Sequence, residues 1–379
     1  MQLELMQKEQ TVAVIDVDEN GILVNLVDVM APDCMPFGIM DGSQPDVVRL
    51  RDWWSGRSIP ASRTGIRNLL DALQISAPQG LLSRSMGLSL SDQYWVRKKG
   101  TDVKWKDINF FENDFSVDIG DLLFSKARSL KEGFSFESPD NTTDGVLKKR
   151  WKIIDGKRCL LKGGSDLLPQ QPFNEVIACI IMDAMGIDHV EYSIIWENGR
   201  PYSVCEDFID TNTELVSANR ILTSCVKNVS LYTRYVSCCF ELGINVIPFL
   251  NRMMVVDYIM CNSDRHNNNY GLIRDVESLR FIDTAPLFDT GSSLGYNLRL
   301  KDMKYAASEC RPFADTFEEQ MGFVTDYSWI DFGKLRGTYR KIREVLESSK
   351  GLIEPERIDA ICELIESRVD SLEKLAKSI

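Results

Sequence analysis

The stretch DRHNNN at Asp264–Asn269 decides the fold class, because its residue types and spacing are those of a phosphoryl-transfer loop. Asp264 and Asn269 are five residues apart in a predicted loop after an apolar helix. An aspartate there can orient a substrate hydroxyl while the asparagine oxygen coordinates a metal ion. His266 is predicted to support the loop through hydrogen bonds, and Arg265 to be a structural charge.

Two aspartates further along the chain are candidates for the main metal ligand. Asp283 lies in FIDT and Asp289 in PLFDTG, and both follow apolar residues, as an aspartate presented at a strand end would. We favour Asp289, because the glycine and serines at 291–293 predict an open turn beside it. Asp283 remains the alternative.

The residues before this loop supply candidates for holding phosphate. Lys162 closes an apolar strand, and Glu175 follows 13 residues later in the first turn of the next helix, where it can pair with the lysine. The small polar residues at 141–146 precede that strand, and the backbone N–H groups of such a turn can hold phosphate oxygens. The candidates in this turn are Thr142, Thr143, Asp144 and Gly145. Glu206 and Phe208 follow a later hairpin, at the position of an adenine-binding hinge.

Hydrophobic periodicity arranges these candidates in a definite order. Alternating apolar residues predict hairpins over 11–29, 151–162 and 192–205, each with a glycine-containing turn, and a short hairpin over 272–282. Helical spacing predicts helices over 62–73, 173–185, 246–262, 332–349 and 354–378. Residues 133–145 have a loop composition. The order is therefore hairpin, helix, hairpin, and then mostly helices.

Bulk composition fits a globular protein of two or three domains. The 379 residues are 44% hydrophobic and 26% charged, with a net charge of −12 that argues against direct nucleic-acid binding. Trp95 and Trp105 lie among lysines and could form a stacking surface, but the acidic residues that follow favour a docking surface within the protein. Two histidines argue against a His-rich metal site. The ten cysteines form no CxxC pair and are expected to be reduced and mostly buried.

No apolar run is long enough to span a membrane, and the N-terminus lacks a secretory-signal pattern. A cytoplasmic location is therefore expected.

This order of motifs resembles the HipA-like serine/threonine kinases. The motifs that carry the resemblance span about 140–292: TTDG at 142–145, Leu161-Lys162, Asn174-Glu175, Glu206 with Phe208, NSDRH at 262–266 through Asn269, and PLFD at 286–289. The resemblance implies ATP and Mg²⁺ as cofactors, Asp264 as the catalytic aspartate, and Asn269 with Asp289 as metal ligands. Members of the family can autophosphorylate a serine in the phosphate loop, whereas the nearest hydroxyl here is Thr142.

The predicted architecture is α+β: a two-lobed protein-kinase-like fold with a β-rich N-lobe, a helical C-lobe and an N-terminal α+β accessory domain. The predicted boundaries are 1–130 for the accessory domain, 131–210 for the N-lobe and 211–379 for the C-lobe, with ATP between the lobes. The expected partners are a protein substrate and an antitoxin-like regulator.

Two other functions remain open. The Asp-Arg-His-x-x-Asn pattern also looks like the catalytic loop of phosphoinositide kinases, in which the metal aspartate follows sooner, as Asp283 does. That pattern would indicate a lipid or small-molecule kinase. A pseudokinase scaffold is the second alternative.

Overall fold

The structure is a computed structural model that describes residues 1–63, 66–124, 134–142, 148–165, 169–225 and 228–378, and the backbone alone at 122–124. The chain divides into two compact units. Unit 1 comprises Met1–Lys162, Asp207–Val216 and Ile273–Arg280, and unit 2 comprises Gly163–Glu206, Ser217–Leu272 and Phe281–Ile379. The predicted three-domain boundaries stay a prediction.

Unit 1 begins with an antiparallel sheet of four strands in the order β3-β2-β1-β6. Its strands are β1 (Gln2–Gln7), β2 (Gln10–Val17), β3 (Leu23–Val29) and β6 (Tyr94–Lys98). The predicted hairpin over 11–29 is confirmed as β2 and β3. The carboxylate of Asp18 closes its turn by accepting the amides of Asn20 and Ile22 at 2.8 and 2.9 Å, the side-chain capping that makes aspartate a turn residue.

Short strands and five short helices accompany this sheet. They are β4 (Met40–Asp41), β5 (Gln44–Pro45), α1 (Val47–Gly56), α2 (Ile66–Leu73), α3 (Gln79–Arg84), α4 (Trp105–Ile108) and α5 (Asp118–Phe124), with a 3-10 turn at Pro32–Cys34. The helix predicted over 62–73 is α2, whose described part begins at Ile66. Residues 64 and 65 lie outside the described ranges.

The aromatic residues predicted as a docking surface lie inside unit 1. Trp95 and Trp105 are only 1% and 6% exposed and pack in one apolar cluster with Met6 and Trp151. Their rings are covered, so they cannot stack on nucleic-acid bases, which requires an open ring face. The interpretation as packing within the protein is confirmed.

The second predicted hairpin is confirmed as β7 (Lys149–Ile154) and β8 (Lys157–Gly163). Asp155 and Gly156 both have positive φ in its turn, as a two-residue hairpin turn requires. Before β7, where a loop was predicted, Pro139–Thr142 forms a 3-10 turn. Within it, buried Asp140 accepts the Trp151 amide at 2.7 Å.

Unit 2 starts with α6 (Gln171–Met185), which ends at Gly186 with φ +63, as predicted. The third predicted hairpin follows as β9 (Ser193–Glu197) and β10 (Arg200–Glu206). β11 (Thr213–Ser217), β12 (Gly271–Asp275) and β13 (Phe281–Thr284) come later in the chain, and most of β11 and β12 belongs to unit 1. β12 and β13 lie where the short hairpin was predicted, and the Asp275 amide donates to the Arg280 carbonyl at 2.9 Å in the turn.

The remaining elements are mostly helical: α7 (Ala218–Thr223), α8 (Leu231–Glu241), α9 (Ile247–Met260), α10 (Phe317–Met321), α11 (Phe332–Gly337), α12 (Tyr339–Glu347) and α13 (Pro355–Ser378), with a 3-10 turn at Leu300–Tyr305. The stretch predicted as a helix over 332–349 is helical as far as Glu347, but it is divided at Thr338 into α11 and α12. Within the described ranges, no helix is long and apolar enough to cross a membrane.

The cysteines follow the prediction in burial but not in redox state. Seven of the eight free thiols are buried. Cys225 and Cys238, however, form a disulfide that links the end of α7 to α8. Their spacing of 13 residues carried no motif that would have predicted the pair.

Candidate active site

The predicted catalytic loop begins where α9 ends. Cys261 takes the left-handed conformation, with φ +48, and turns the chain out of the helix. The next residue, Asn262, donates its side-chain amide to the Asp257 carboxylate at 2.8 Å, and its oxygen accepts the Asp264 amide at 3.2 Å. The backbone of Asp264 is therefore anchored to a buried carboxylate one turn back in the helix.

The loop is then closed by its own hydrogen bonds. The Asp264 carbonyl accepts the His266 amide at 2.8 Å and the side-chain amide of Asn269 at 3.4 Å. The His266 carbonyl accepts the Asn269 amide at 2.8 Å, and the ring Nδ1 of His266 accepts the Asn268 amide at 3.3 Å. Asp264 and Asn269 are thus brought together at the two ends of one compact turn, and His266 makes the kind of supporting contact predicted for it.

Arg265 is a wholly buried cation that connects this loop to a second segment. Its guanidinium forms a fork on the Asp257 carboxylate, with contacts of 3.0 to 3.3 Å. Nη1 also donates to the Asn269 carbonyl at 3.0 Å and to the Phe288 carbonyl at 2.6 Å. Nη2 reaches the Thr290 hydroxyl at 3.3 Å. Arginine suits this position, because its planar group offers five donors in fixed directions.

Burial disfavours the charge of Arg265, but the carboxylates around it outweigh that effect. Asp257 contributes most, followed by Asp289 and Glu175, and together they raise the pKa of the guanidinium above its ordinary value. Arg265 therefore stays charged, and it lies in the field of the carboxylate proposed to bind the metal. Its role as a structural charge fits the prediction.

Asp289, the preferred metal ligand, lies in a segment held from both sides. Leu287, two residues earlier, pairs with the chain after α6, donating to the Asp188 carbonyl at 3.1 Å and accepting from the Val190 amide at 2.9 Å. Asp289 itself is half-buried and has φ +58. Aspartate tolerates this left-handed conformation better than most residues, and such positions cluster at functional sites.

Glu175 contacts the segment just after Asp289. Its carboxylate accepts the Thr290 amide at 2.9 Å. At Gly291 a Cβ atom would come within 3.2 Å of both the Glu175 carboxylate and the Gln171 carbonyl, so glycine permits this close approach. The neighbouring Asn174 donates to the carbonyls of Gly291 and Ser293 at 2.9 and 2.8 Å. The turn predicted to be open is instead buried and tied to the start of α6.

Asp283, the alternative metal ligand, has a different environment. It lies on β13 and is exposed. Its carboxylate accepts the amide of the next residue, Thr284, at 2.7 Å. Within the described part of the chain, Asp283 makes no hydrogen bond or ion pair with the loop at 264–269. The structure thus connects that loop to the segment of Asp289 through Arg265, and not to Asp283.

The other predicted residues lie on different elements of the chain. Lys162 is buried in β8, 6% exposed, opposite Lys149. Glu206 is exposed at the end of β10, and Phe208 is half-buried two residues later. The pairing of Lys162 with Glu175 stays a prediction, as does the hinge role of Glu206 and Phe208.

Of the four candidate residues in the predicted phosphate turn, only Thr142 is described. The Thr142 hydroxyl donates to the carbonyls of Leu88 and Pro139 at 3.0 and 3.1 Å. A hydroxyl held by two carbonyls is poorly placed to attack a phosphate. Thr143, Asp144 and Gly145 lie outside the described residues.

Asp257 is the supporting residue that sequence reasoning missed. It is 0% exposed and receives hydrogen bonds from both Asn262 and Arg265. A signal existed, because it is the one carboxylate in the otherwise mostly apolar stretch that forms α9. A lone acid there must be paired when it is buried, since an isolated buried charge is costly.

An aromatic contact braces the loop from α8. The Tyr270 hydroxyl donates to the Asn267 side chain at 2.8 Å, and its ring packs edge-on against Tyr235 of α8 with centroids 5.2 Å apart. Burial raises the pKa of Tyr270 well above its ordinary value, so the phenol remains a neutral donor. The side chain of Asn267 is therefore held from outside the loop.

A cavity of about 630 Å³ opens beside the loop, within unit 2. One wall is the loop itself, including His266 and Asn267, and the opposite wall is the chain at 309–315. That opposite wall carries the exposed charges of Glu309, Arg311 and Asp315. The cavity is large enough to admit a side chain of another molecule beside the loop.

The chemistry of the candidate metal ligands fits magnesium. The Asn269 side-chain nitrogen donates to the Asp264 carbonyl, so its oxygen is directed away from that carbonyl. That amide oxygen and the Asp289 carboxylate are hard oxygen donors, which Mg²⁺ prefers over nitrogen or sulfur. The residues brought together therefore fit the cofactor that the sequence predicted.

Comparison with known proteins gives the context for this site. No protein-family model matches the chain. The serine/threonine-protein kinase CtkA of Helicobacter pylori is 28% identical over 132 residues, which is 32% of this chain and 40% of that protein. The match thus spans less than half of the curated relative's length. The crystal structure of CtkA has 17% identity and a TM-score of 0.47 over 61% of this chain and 94% of that one.

A second solved structure matches from end to end. It is the HipA toxin–antitoxin complex with HipB and operator DNA from Shewanella oneidensis MR-1, with 12% identity, a TM-score of 0.56, and coverage of 100% of this chain and 99% of that one. The chain has the HipA fold. The predicted resemblance to the HipA-like kinases and the α+β kinase-like fold class are therefore confirmed.

Proposed function

We propose that this protein is an ATP- and Mg²⁺-dependent kinase that phosphorylates a serine or threonine hydroxyl of a protein. One observation carries the proposal: buried Arg265 joins the loop of Asp264 and Asn269 to the segment of Asp289. Phosphoryl transfer depends mainly on positioning and on charge stabilisation, so a rigid frame for these three side chains is what the reaction requires.

In this proposal Asp264 orients the acceptor hydroxyl and accepts its proton. The hydroxyl oxygen forms a bond to the γ-phosphorus of ATP while the bond from that phosphorus to the ADP oxygen breaks. Asp264 is half-buried, and its backbone is fixed by Asn262 on one side and by the loop on the other. A base held in this way typically contributes about 10²–10⁴-fold in rate.

We assign Asn269 and Asp289 as the ligands of Mg²⁺, in preference to Asp283. The contacts of Arg265 to the carbonyls of Asn269 and Phe288 support this choice. When bound, the ion would offset the negative charge of the phosphates. Glu175, through the Thr290 amide, would keep Asp289 in place.

We assign the remaining predicted residues to ATP. Lys162 would bind the phosphates, and residues 142–145 would form the phosphate turn. Glu206 and Phe208 would lie at the adenine, and His266 would support the loop. The resemblance to HipA-like kinases supports these roles residue by residue, and so does the burial of a lysine at position 162.

The acceptor, regulator and location follow from the same proposal. A protein acceptor is favoured over a lipid, because the lipid-kinase alternative relied on Asp283 as the metal ligand. Asp283 is exposed, and its carboxylate accepts a hydrogen bond from the Thr284 amide. The matched HipA structure contains HipB and operator DNA, which supports an antitoxin-like protein as regulator here. At a net charge of −12 we do not expect direct nucleic-acid binding. We propose the cytoplasm, where ATP is available, as the location. We also retain the division into residues 1–130, 131–210 and 211–379.

The test uses labelled ATP with purified protein, with and without Mg²⁺, and offers protein and lipid acceptors in parallel. We expect Mg²⁺-dependent labelling of protein, lost in Asp264→Asn. Asp289→Asn should need far more Mg²⁺, whereas Asp283→Asn should behave like the wild type. Labelling of lipid alone would support the lipid-kinase alternative. Binding of ATP without transfer would support a pseudokinase.

The cellular acceptor can be sought by comparing phosphoproteomes. Cells that express the active protein should contain phosphorylated serine or threonine sites that are missing from cells expressing Asp264→Asn. Identical phosphoproteomes would contradict a protein acceptor.

A further inference from the structure

A group of potential metal ligands lies in unit 2 at the end of α6, and the proposed kinase chemistry does not use it. Cys179, His189 and Glu191 place one ligand atom each within 4.8 Å of the others. Asp183, one helical turn after Cys179, has a carboxylate oxygen 3.9 Å from the ring Nε2 of His189. Gly186, with φ +63, ends the helix between these two pairs of residues, so the chain that follows can return toward the helix.

His189 is the informative residue of this group. Its Nδ1 lies 2.8 Å from the Ile187 carbonyl, which can only accept, so Nδ1 is a donor and Nε2 is the ring nitrogen left to bind a metal. The side chain is 4% exposed, and Nε2 has no hydrogen-bond partner among the described residues. Buried polar atoms normally have partners, so an exception calls for an explanation.

A metal-binding histidine has this arrangement. One ring nitrogen donates to a carbonyl or carboxylate, which fixes the tautomer, and the other nitrogen points at the metal. The sulfur of Cys179 is also oriented, because it accepts the Tyr192 amide at 3.3 Å and lies 3.5 Å from the Val190 carbonyl. Both potential ligands are therefore already turned toward one another by backbone groups.

We propose that Cys179, His189 and Glu191 bind a zinc ion, with Asp183 or a water molecule as the fourth ligand. Sulfur, imidazole and carboxylate donors in one group of four are typical of Zn²⁺, and unlike the oxygen donors that suit Mg²⁺. Two ligands at zinc distances of about 2.0–2.1 Å lie roughly 3.4 Å apart in a tetrahedron. Nε2 of His189 lies 3.6 Å from the Glu191 carboxylate, close to that value.

Binding would exchange the Cys179 thiol proton for the ion, and the proton would pass to the solvent. The ion would join the last turns of α6 to the chain at 189–191. That chain is paired with Leu287, two residues before Asp289. The zinc site would thus stiffen the backbone support of Asp289 without contacting the reacting groups.

The proposal is tested with cobalt, which replaces zinc and whose bond to a thiolate gives an ultraviolet charge-transfer band. Full-length protein is stripped with a chelator, kept under reducing conditions with excess Mg²⁺, and titrated with Co²⁺. We expect one Co²⁺ per chain with the thiolate band, and displacement by Zn²⁺. Zn²⁺ should also raise the Tm of the stripped protein.

The variants separate this site from other binding. Cys179→Ser should lose the band, and His189→Gln and Glu191→Gln should weaken Co²⁺ binding by at least about tenfold. Glu191 is exposed, so its variant should fold even if the buried ones do not. Cys362→Ser, which removes a buried thiol of α13, and Asp188→Asn should bind as the wild type does. A wild type without the band, a band retained in Cys179→Ser, or equal affinity in Glu191→Gln would each overturn the proposal, leaving an ion pair between His189 and the carboxylates.

Discussion

Replacing Arg265 with methionine should destabilise unit 2 and abolish transfer together. The guanidinium has four partners: the Asp257 carboxylate, the carbonyls of Asn269 and Phe288, and the Thr290 hydroxyl. Methionine has a similar length but none of these donors. The variant would leave Asp257 charged and buried.

The magnitude follows from what is left unpaired. Removing one partner of a buried ion pair costs about 3–5 kcal/mol, and a buried acceptor without a donor about 1–3 kcal/mol. These terms do not add simply, and Asn262 still donates to Asp257 at 2.8 Å. We therefore expect a loss of at least about 3 kcal/mol, a large share of the roughly 5–15 kcal/mol that stabilises a domain.

The assay is denaturant unfolding combined with hydrogen exchange, which reports whether α9 loses protection. Arg265→Lys keeps the charge but not the fork, so it should fall between wild type and Arg265→Met. The matched control is Arg340→Gln, which removes an arginine that pairs with Glu344 at the surface, and its midpoint should stay at the wild-type value. If Arg265→Met unfolded at the same midpoint as this control, the contacts of Arg265 would not be what holds the loop at 264–269 and the segment of Asp289 in place.

Three further predictions concern other parts of the chain. Gly291→Ala should push the new methyl against Glu175, lower the free energy of unfolding by about 1–3 kcal/mol and slow phosphoryl transfer. Gly337→Ala, whose methyl meets no atom within 4 Å, should change neither. Unfolding midpoints and phosphorylation rates of both variants check this. Glu309→Lys should change the KM for a protein acceptor but not for ATP, as measured by initial rates, because it alters the charge of the cavity beside the loop. Burial raises the pKa of Asp140 from 3.8 to about 7. Between pH 3.8 and 7 the Asp140 carboxyl therefore keeps its proton in the folded state and loses it in the unfolded state. Its contribution to the free energy of unfolding is complete below pH 3.8 and is lost as the pH rises through 7. Urea unfolding should show that the free energy of unfolding falls less between pH 5 and pH 8 in Asp140→Asn than in the wild type. An equal fall in both proteins would contradict the raised pKa of Asp140.

Much of this fold could be predicted from local patterns in the sequence. The turns at Asp155 and Asn198 and the glycine after α6 have conformations set by a few neighbouring residues, so their hairpins and helix were placed correctly. The division at Thr338 was missed, because the apolar spacing continues across it, although Gly337 before it is a residue that favours helix ends.

The candidate site was predictable in its ligands but less so in its frame. Asp264, Asn269 and Asp289 belong to short motifs with recognisable spacing. The contact of Arg265 with Phe288 joins residues 23 positions apart, and the burial of Asp257 depends on helices that pack around it. The contact leaves no local pattern, and the lone carboxylate in the apolar stretch of α9 shows that Asp257 needs a partner without showing which one. Pairing of Cys225 with Cys238 likewise depends on how α7 and α8 lie against each other.

The fork of Arg265 also limits how this protein can move. One nitrogen, Nη1, holds the carbonyls of Asn269 and Phe288 at 3.0 and 2.6 Å. A relative shift of about 1 Å would take either contact beyond hydrogen-bonding range. While these contacts hold, the loop at 264–269 and the segment of Asp289 must therefore move as one rigid body when nucleotide enters and product leaves. The flexibility that such a cycle needs has to reside elsewhere in the chain.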